Sequence, residues 1–153
     1  MDEEHNRHQF TVVVHTVLAN PSGVFLLRRR EHMAFGGMYC LPGGYLEAGE
    51  GLLDAAAREV REEAGVEILR GRFAGLMSYR SAAVTKPGDQ GLNAIFVADE
   101  YRGIPRILEP DKFSSADFFD SDSMPQSCVP WLADALDMAY GERGGDLIEH
   151  IWD

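Results

Sequence analysis

Basic side chains are scarce in this 153-residue chain: 14 Lys and Arg stand against 25 Asp and Glu, a formal charge of −11. That deficit argues against a duplex nucleic-acid partner, whose phosphate backbone is gripped largely by Lys and Arg. It would also repel a small phosphorylated ligand, unless a divalent cation sits between carboxylates and phosphates. Cysteine is nearly absent. Cys40 and Cys128 each lie among apolar neighbours, so two buried thiols are expected instead of a disulfide, and a reducing cytoplasm is the expected location. No apolar run approaches the ~18 residues of a membrane span. Met1 to Gln9 lacks the apolar stretch of a signal peptide, and internal repeats, low-complexity tracts and linkers are missing too.

What remains is a chain with 45% hydrophobic residues, enough for one domain with a core and a cleft. Phe10 to Leu18 is β-branched and apolar enough for a central strand. Asn20-Pro21-Ser22-Gly23 signals a turn before a second strand, Val24 to Arg29, which predicts an opening hairpin. Gly36-Gly37 marks a loop, Met38 to Leu41 a short strand, and Pro42-Gly43-Gly44 a tight turn where backbone comes close to something. From Leu52 to Ala64 the period is helical, and Gly65 follows where a helix end favours left-handed dihedrals. Val66 to Tyr79, Leu92 to Tyr101 and Phe113 to Phe119 read as strands. Leu132, Ala135, Leu136 and Ala139 recur at helical spacing within Val129 to Tyr140, with Pro130 suited to the first turn. Strands mixed with two helices predict a single layered α/β domain over residues 10–141, with tails at 1–9 and 142–153.

On the first helix Glu59, Glu62 and Glu63 are spaced i, i+3, i+4 and share an arc about 100° wide. Beside them Leu53, Ala56, Ala57, Val60 and Ala64 form a small apolar arc that would seat the helix on a sheet. Like charges so placed destabilise an isolated helix by about 0.2–0.5 kcal/mol per pair. A charge run often simply faces water, but the flanking residues here argue for a cation.

Those residues run Gly44, five others, Glu50, seven others, Arg58-Glu59-Val60, one other, Glu62-Glu63, one other, Gly65-Val66. This is the Nudix box in full, and chance agreement at its seven fixed and two aliphatic positions is on the order of 10⁻⁹ per start site. The chain therefore resembles the Nudix hydrolase family. The resemblance implies a mixed β-sheet sandwiched between helices, an α/β/α arrangement. It also implies that Glu59, Glu62 and Glu63, helped by the backbone carbonyl of Gly43, ligate Mg2+ or Mn2+, hard ions suited to oxygen ligands. Arg58 looks like the family arginine that ties Glu50 in place and fixes the ligands' orientation. Gly51 stands where relatives often carry Ser or Thr; glycine caps more weakly, while Asp54 can serve the first turn.

The family reaction is substitution at phosphorus in a nucleoside diphosphate linked to another group. Glu62 and Glu63 are both candidates to accept the proton from the attacking water. Glu109 is a third, in a segment resembling that of Nudix enzymes acting on nucleoside triphosphates. Related triphosphate-cleaving enzymes have a substrate-binding arginine at this distance before the Pro-Gly-Gly turn, so the resemblance implies that Arg29, or else Arg28, binds phosphate. Phe35, Phe96 or Trp131 can stack on a base and Asn93 can hydrogen-bond its edge. Ser81 occupies the place where ADP-ribose hydrolases of the family carry a proline. The expected substrate is a normal or oxidised nucleoside triphosphate, cut to monophosphate and pyrophosphate. ADP-ribose or a nucleotide sugar is the alternative substrate, and a nucleotide sensor without turnover the alternative of another class. The expected partner is thus a small nucleotide, with no duplex nucleic acid and no membrane; a homodimer is left open.

Overall fold

The computed structural model of the chain describes residues 9–152, so nearly all of the expected N-terminal tail lies outside the described residues. Strand β1 (Thr11–Val17) leads through β2 (Ala19–Asn20) to β3 (Gly23–Arg29), β4 (Tyr39–Cys40) and β5 (Gly43–Tyr45). Helix α1 (Leu52–Ala64) follows, then the long strands β6 (Glu67–Ser81) and β7 (Gln90–Arg102), β8 (Phe113–Phe119), helix α2 (Leu132–Tyr140) and β9 (Leu147–Trp152). The strands form a mixed five-stranded sheet, ordered β5-β1-β7-β6-β9, and a smaller sheet in which β3 pairs with β2, β4 and β8. Among the described residues no helix is long and apolar enough to cross a membrane.

The larger sheet lies between the two helices. Along β7, Ala94 and Phe96 meet Val14 and the α1 residues Ala55 and Ala56. The alternate residues Ile95 and Val97 join Leu132, Ala135 and Met138 of α2 in the larger core cluster, as the two-residue period of a strand requires. The single α/β domain and its sandwiched sheet agree with the sequence reading.

Several local expectations change. β1 does not form a hairpin with β3: it is hydrogen-bonded to β5 on one side and β7 on the other, so β3 is displaced into the second sheet and turns back only on β2. In place of a tight turn over Pro42-Gly43-Gly44, the chain bends at Pro42, and Gly43 and Gly44 are already the extended start of β5. The buried stripe of α1 is Ala55, Ala56, Glu59, Val60, Glu63 and Ala64, rotated toward the acids, and Leu53 is 45% exposed. Two alanines allow close approach to the sheet, and the acids can be buried because each has a polar partner. Pro130 precedes α2, which begins at Leu132. The segment expected as a tail after residue 141 instead supplies β9, parallel to β6 from Leu76↔Leu147 to Ser81↔Trp152.

Candidate active site

Helix α1 is closed by Gly65, whose φ of 70° lets its N–H reach the Arg61 carbonyl. The segment after β7 then folds back, Leu108 N–H donating to the Glu63 carbonyl at 3.1 Å and Arg106 N–H to that of Ala64 at 3.0 Å. These bonds hold the last turn of α1, and with it Glu59 and Glu63, against β5. Gly43 N–H donates to Glu63 Oε2 at 2.9 Å. A Cβ at Gly44 would stand 2.3 Å from Glu59 Oε1, so only glycine leaves room for that carboxylate.

Arg58 holds the rest of the box. Its Nε donates to Glu50 Oε2 at 3.0 Å and its Nη2 to Glu50 Oε1 at 2.7 Å, a two-pronged pair. Nη2 also reaches the Tyr45 carbonyl at 2.9 Å, while Nη1 reaches Glu59 Oε1 at 2.8 Å and Glu62 Oε2 at 3.4 Å. The arginine thus ties the loop before α1, the end of β5 and two helix acids into one unit.

Electrostatics separate the acids. Burial pushes the Glu63 carboxyl up to about 8; the Gly43 N–H and Lys112 oppose the shift, and the neighbouring Glu59 and Glu109 reinforce it. Burial also raises Glu59, against the pull of Arg58. The Arg58 hydrogen bonds hold Glu50 below the usual carboxylate range. Glu62 is turned outward, its side chain 51% exposed.

A cleft of about 520 Å³ opens beside Glu59 and Glu63. Of the residues named from the sequence, Gly43, Arg29, Phe35, Asn93 and Trp131 line it, together with Glu47 and Lys112. Glu50, Arg58, Glu62 and Glu109 do not line it. Glu109 lies behind the wall, with Oε2 on Lys112 Nζ at 2.7 Å and Oε1 buried without a partner. Arg28 is excluded by strand alternation: its Nε donates to the Gly37 carbonyl at 3.1 Å, and Glu31 pairs with it at 3.7 Å. Phe96 lies on the opposite face of β7, packed in the cluster beneath α1.

The sequence reading missed His15, Tyr79, Lys112 and Trp152, all in the cleft wall. Trp152 had a signal in the Ile148, His150, Trp152 alternation of β9; its ring lies 6.1 Å from that of Trp131. His15 had none, because nothing in a run of β-branched residues says which face meets a cavity.

Among the described residues, no three His, Cys, Asp or Glu side chains converge closely enough to enclose a metal ion. What is present fits a hard cation held on one side only: two buried carboxylates, Glu59 and Glu63, at the open cleft, and a buried Glu109 oxygen nearby that nothing in the protein serves. Mg2+ is commonly bound this way, through one or two carboxylates with water and substrate phosphates completing its shell.

Residues 9–137 match a family model described as the NUDIX domain. The chain is similar to an ADP-ribose pyrophosphatase of Methanocaldococcus jannaschii, 28% identical over 115 residues that make up 75% of this chain and 64% of that protein. It is also similar to the NAD-capped RNA hydrolase NudC of Vibrio vulnificus, 29% identical over 69% of this chain and 40% of that protein. The chain thus spans less than two thirds of these curated relatives. A solved MutT NUDIX hydrolase from Burkholderia pseudomallei superposes with a TM-score of 0.77 at 25% identity, covering 86% of this chain and 98% of that one.

Proposed function

The chain belongs to the Nudix hydrolase family, and from that premise we propose that it is a divalent-cation-dependent hydrolase of the diphosphate linkage in a nucleoside diphosphate derivative. One observation carries this reading. A single cleft is lined both by buried carboxylates, Glu59 and Glu63, and by aromatic rings, Phe35, Trp131 and Trp152. Phosphates belong with a cation at the carboxylates and a base against the rings.

Glu59, Glu63 and the Gly43 carbonyl hold the cation, Mg2+ or Mn2+, with Glu62 available from the solvent side. When bound, the cation supplies charge to offset that developing on the phosphate oxygens and lowers the pKa of a coordinated water. Arg58, gripping Glu50 and Glu59 together, keeps the carboxylates in register while substrate enters and leaves. Arg29 and Lys112, on the cleft wall, meet phosphate oxygens. Of the two box acids open as proton acceptor, Glu63 lines the cleft and Glu62 does not, so Glu63 takes the proton from water.

The finer proposal is a nucleoside triphosphate, split to monophosphate and pyrophosphate. The likeness to a MutT NUDIX hydrolase over 86% of this chain supports it. A second reading, ADP-ribose or a nucleotide sugar, is favoured by the likeness to an ADP-ribose pyrophosphatase. Incubation with Mg2+ and a panel of normal and oxidised triphosphates, ADP-ribose and nucleotide sugars tests both. Pyrophosphate release supports the first, two phosphorylated products the second. Binding without turnover of any member would sink the catalytic reading in favour of a sensor.

A further inference from the structure

One stretch of the cleft wall places Trp131, Trp152 and Phe35 around two buried polar residues, His15 and Asn93, which are 7% and 5% exposed, with His15 paired across to Gly43 of β5. The His15 ring lies 5.7 Å from that of Trp131, and its Nε2 is 3.2 Å from Asn93 Oδ1. The other ring nitrogen, Nδ1, is buried and has no partner. A proton on Nδ1 would be a donor with nothing to serve, whereas an unserved lone pair is the lesser cost, so the proton belongs on Nε2. Nε2–H then donates to Asn93 Oδ1, and this bond fixes which way round the amide lies. No protein group among the described residues accepts from the amide nitrogen Nδ2, and it is not one of the buried unserved atoms, so it keeps access to the cleft. Trp131 Nε1–H also lacks an acceptor but is fully buried, so the donor this stretch of the cleft offers is the Asn93 amide.

We propose that Asn93, held in one orientation by His15, selects nucleobases that present a ring carbonyl oxygen over those that present an exocyclic amine at the same place. The proposal rests on the nucleotide reading above. A carbonyl oxygen accepts from the Asn93 amide. An amine would set donor against donor and leave the Asn93 amide without its acceptor. His15 acts through Asn93 and is a positioning residue. The shared chemistry has two sources: hypoxanthine differs from adenine by this group at the purine 6-position, and uracil from cytosine at the pyrimidine 4-position.

Those two pairs make the test. The monophosphates IMP against AMP, and UMP against CMP, are titrated into the whole protein and followed by intrinsic fluorescence, since both of the chain's 2 tryptophans line the cleft. The same ratios are read from kcat/KM for the triphosphates. In at least one pair the carbonyl member should bind about tenfold or more tightly, and the pair that discriminates identifies a purine or a pyrimidine site. Asn93→Asp keeps an acceptor for His15 and replaces the donor by an acceptor, so it should reverse the preference. His15→Ala should flatten it, and His15→Gln, whose amide nitrogen can donate to Asn93, should restore it. Equal binding within both pairs, or preference for the amine, overturns the proposal on the wild-type protein alone. An unchanged ratio in Asn93→Asp, shown to be folded by circular dichroism, overturns it as well. Failure of all nucleotides to bind or react would instead remove the nucleotide reading, and this proposal with it.

Discussion

At the acid end of the cleft, Glu50, Arg58, Glu59 and Glu63 sit within fourteen consecutive residues and are bonded to one another or to nearby backbone. At the aromatic end, His15, Asn93, Trp131 and Trp152 come from β1, β7, the residue preceding α2, and β9, and two of their buried nitrogens have no partner. The first end is pre-organised by bonds within one short stretch of chain. The second is a set of rings around an Asn93 amide that His15 holds, assembled from elements far apart in the sequence. The proposed function divides roles along the same line: the helix carries the reaction, and the aromatic wall selects what is accepted.

That division can be broken by experiment. Chelation of divalent cations, or Glu63→Gln, should lower kcat by about 10³-fold or more, while fluorescence quenching by nucleotide persists. Loss of both together would show that the two ends do not work separately. Arg58→Lys keeps the charge but loses the two-pronged grip on Glu50. Apparent Mg2+ affinity should fall about 10- to 100-fold in an activity titration, with base preference unchanged. Trp152→Ala removes a ring at the far end and should raise KM about tenfold, since base stacking is worth about 1–3 kcal/mol, with little change in kcat. Gly65→Ala forces a side chain into left-handed backbone and toward Leu108, 3.0 Å away. It should cost about 1 kcal/mol, read as a melting temperature about 2–4 °C lower, and leave base selectivity alone.

The acid end was legible because everything it needs is local. Spacing of i, i+3 and i+4 puts Glu59, Glu62 and Glu63 on one side of any helix, whatever it packs against. Yet spacing alone did not tell which of the three would be buried. The stripe rotated until Glu59 and Glu63 faced the cleft and Glu62 faced water, because Ala55 and Ala56 are fully buried against the sheet while Leu53 stays 45% exposed. The aromatic end was only half legible. Phe35, Asn93 and Trp131 are candidates from the sequence along with Phe96, and alternation puts Asn93 and Phe96, three residues apart on β7, on opposite faces, but nothing in the sequence says which face meets the cleft.

The sequence by itself determined the chemistry-bearing helix, its glycine terminator, the Arg58 to Glu50 partnership and the main long strands, because each depends on side-chain period and short-range geometry. Only the tertiary structure decided that β1 lies between β5 and β7 instead of pairing with β3, that β9 closes the cleft with Trp152, and that His15 meets Asn93 78 residues away. Such pairings are set by which buried faces fill each other's space across the whole domain, and that competition leaves no mark at a single position of the chain.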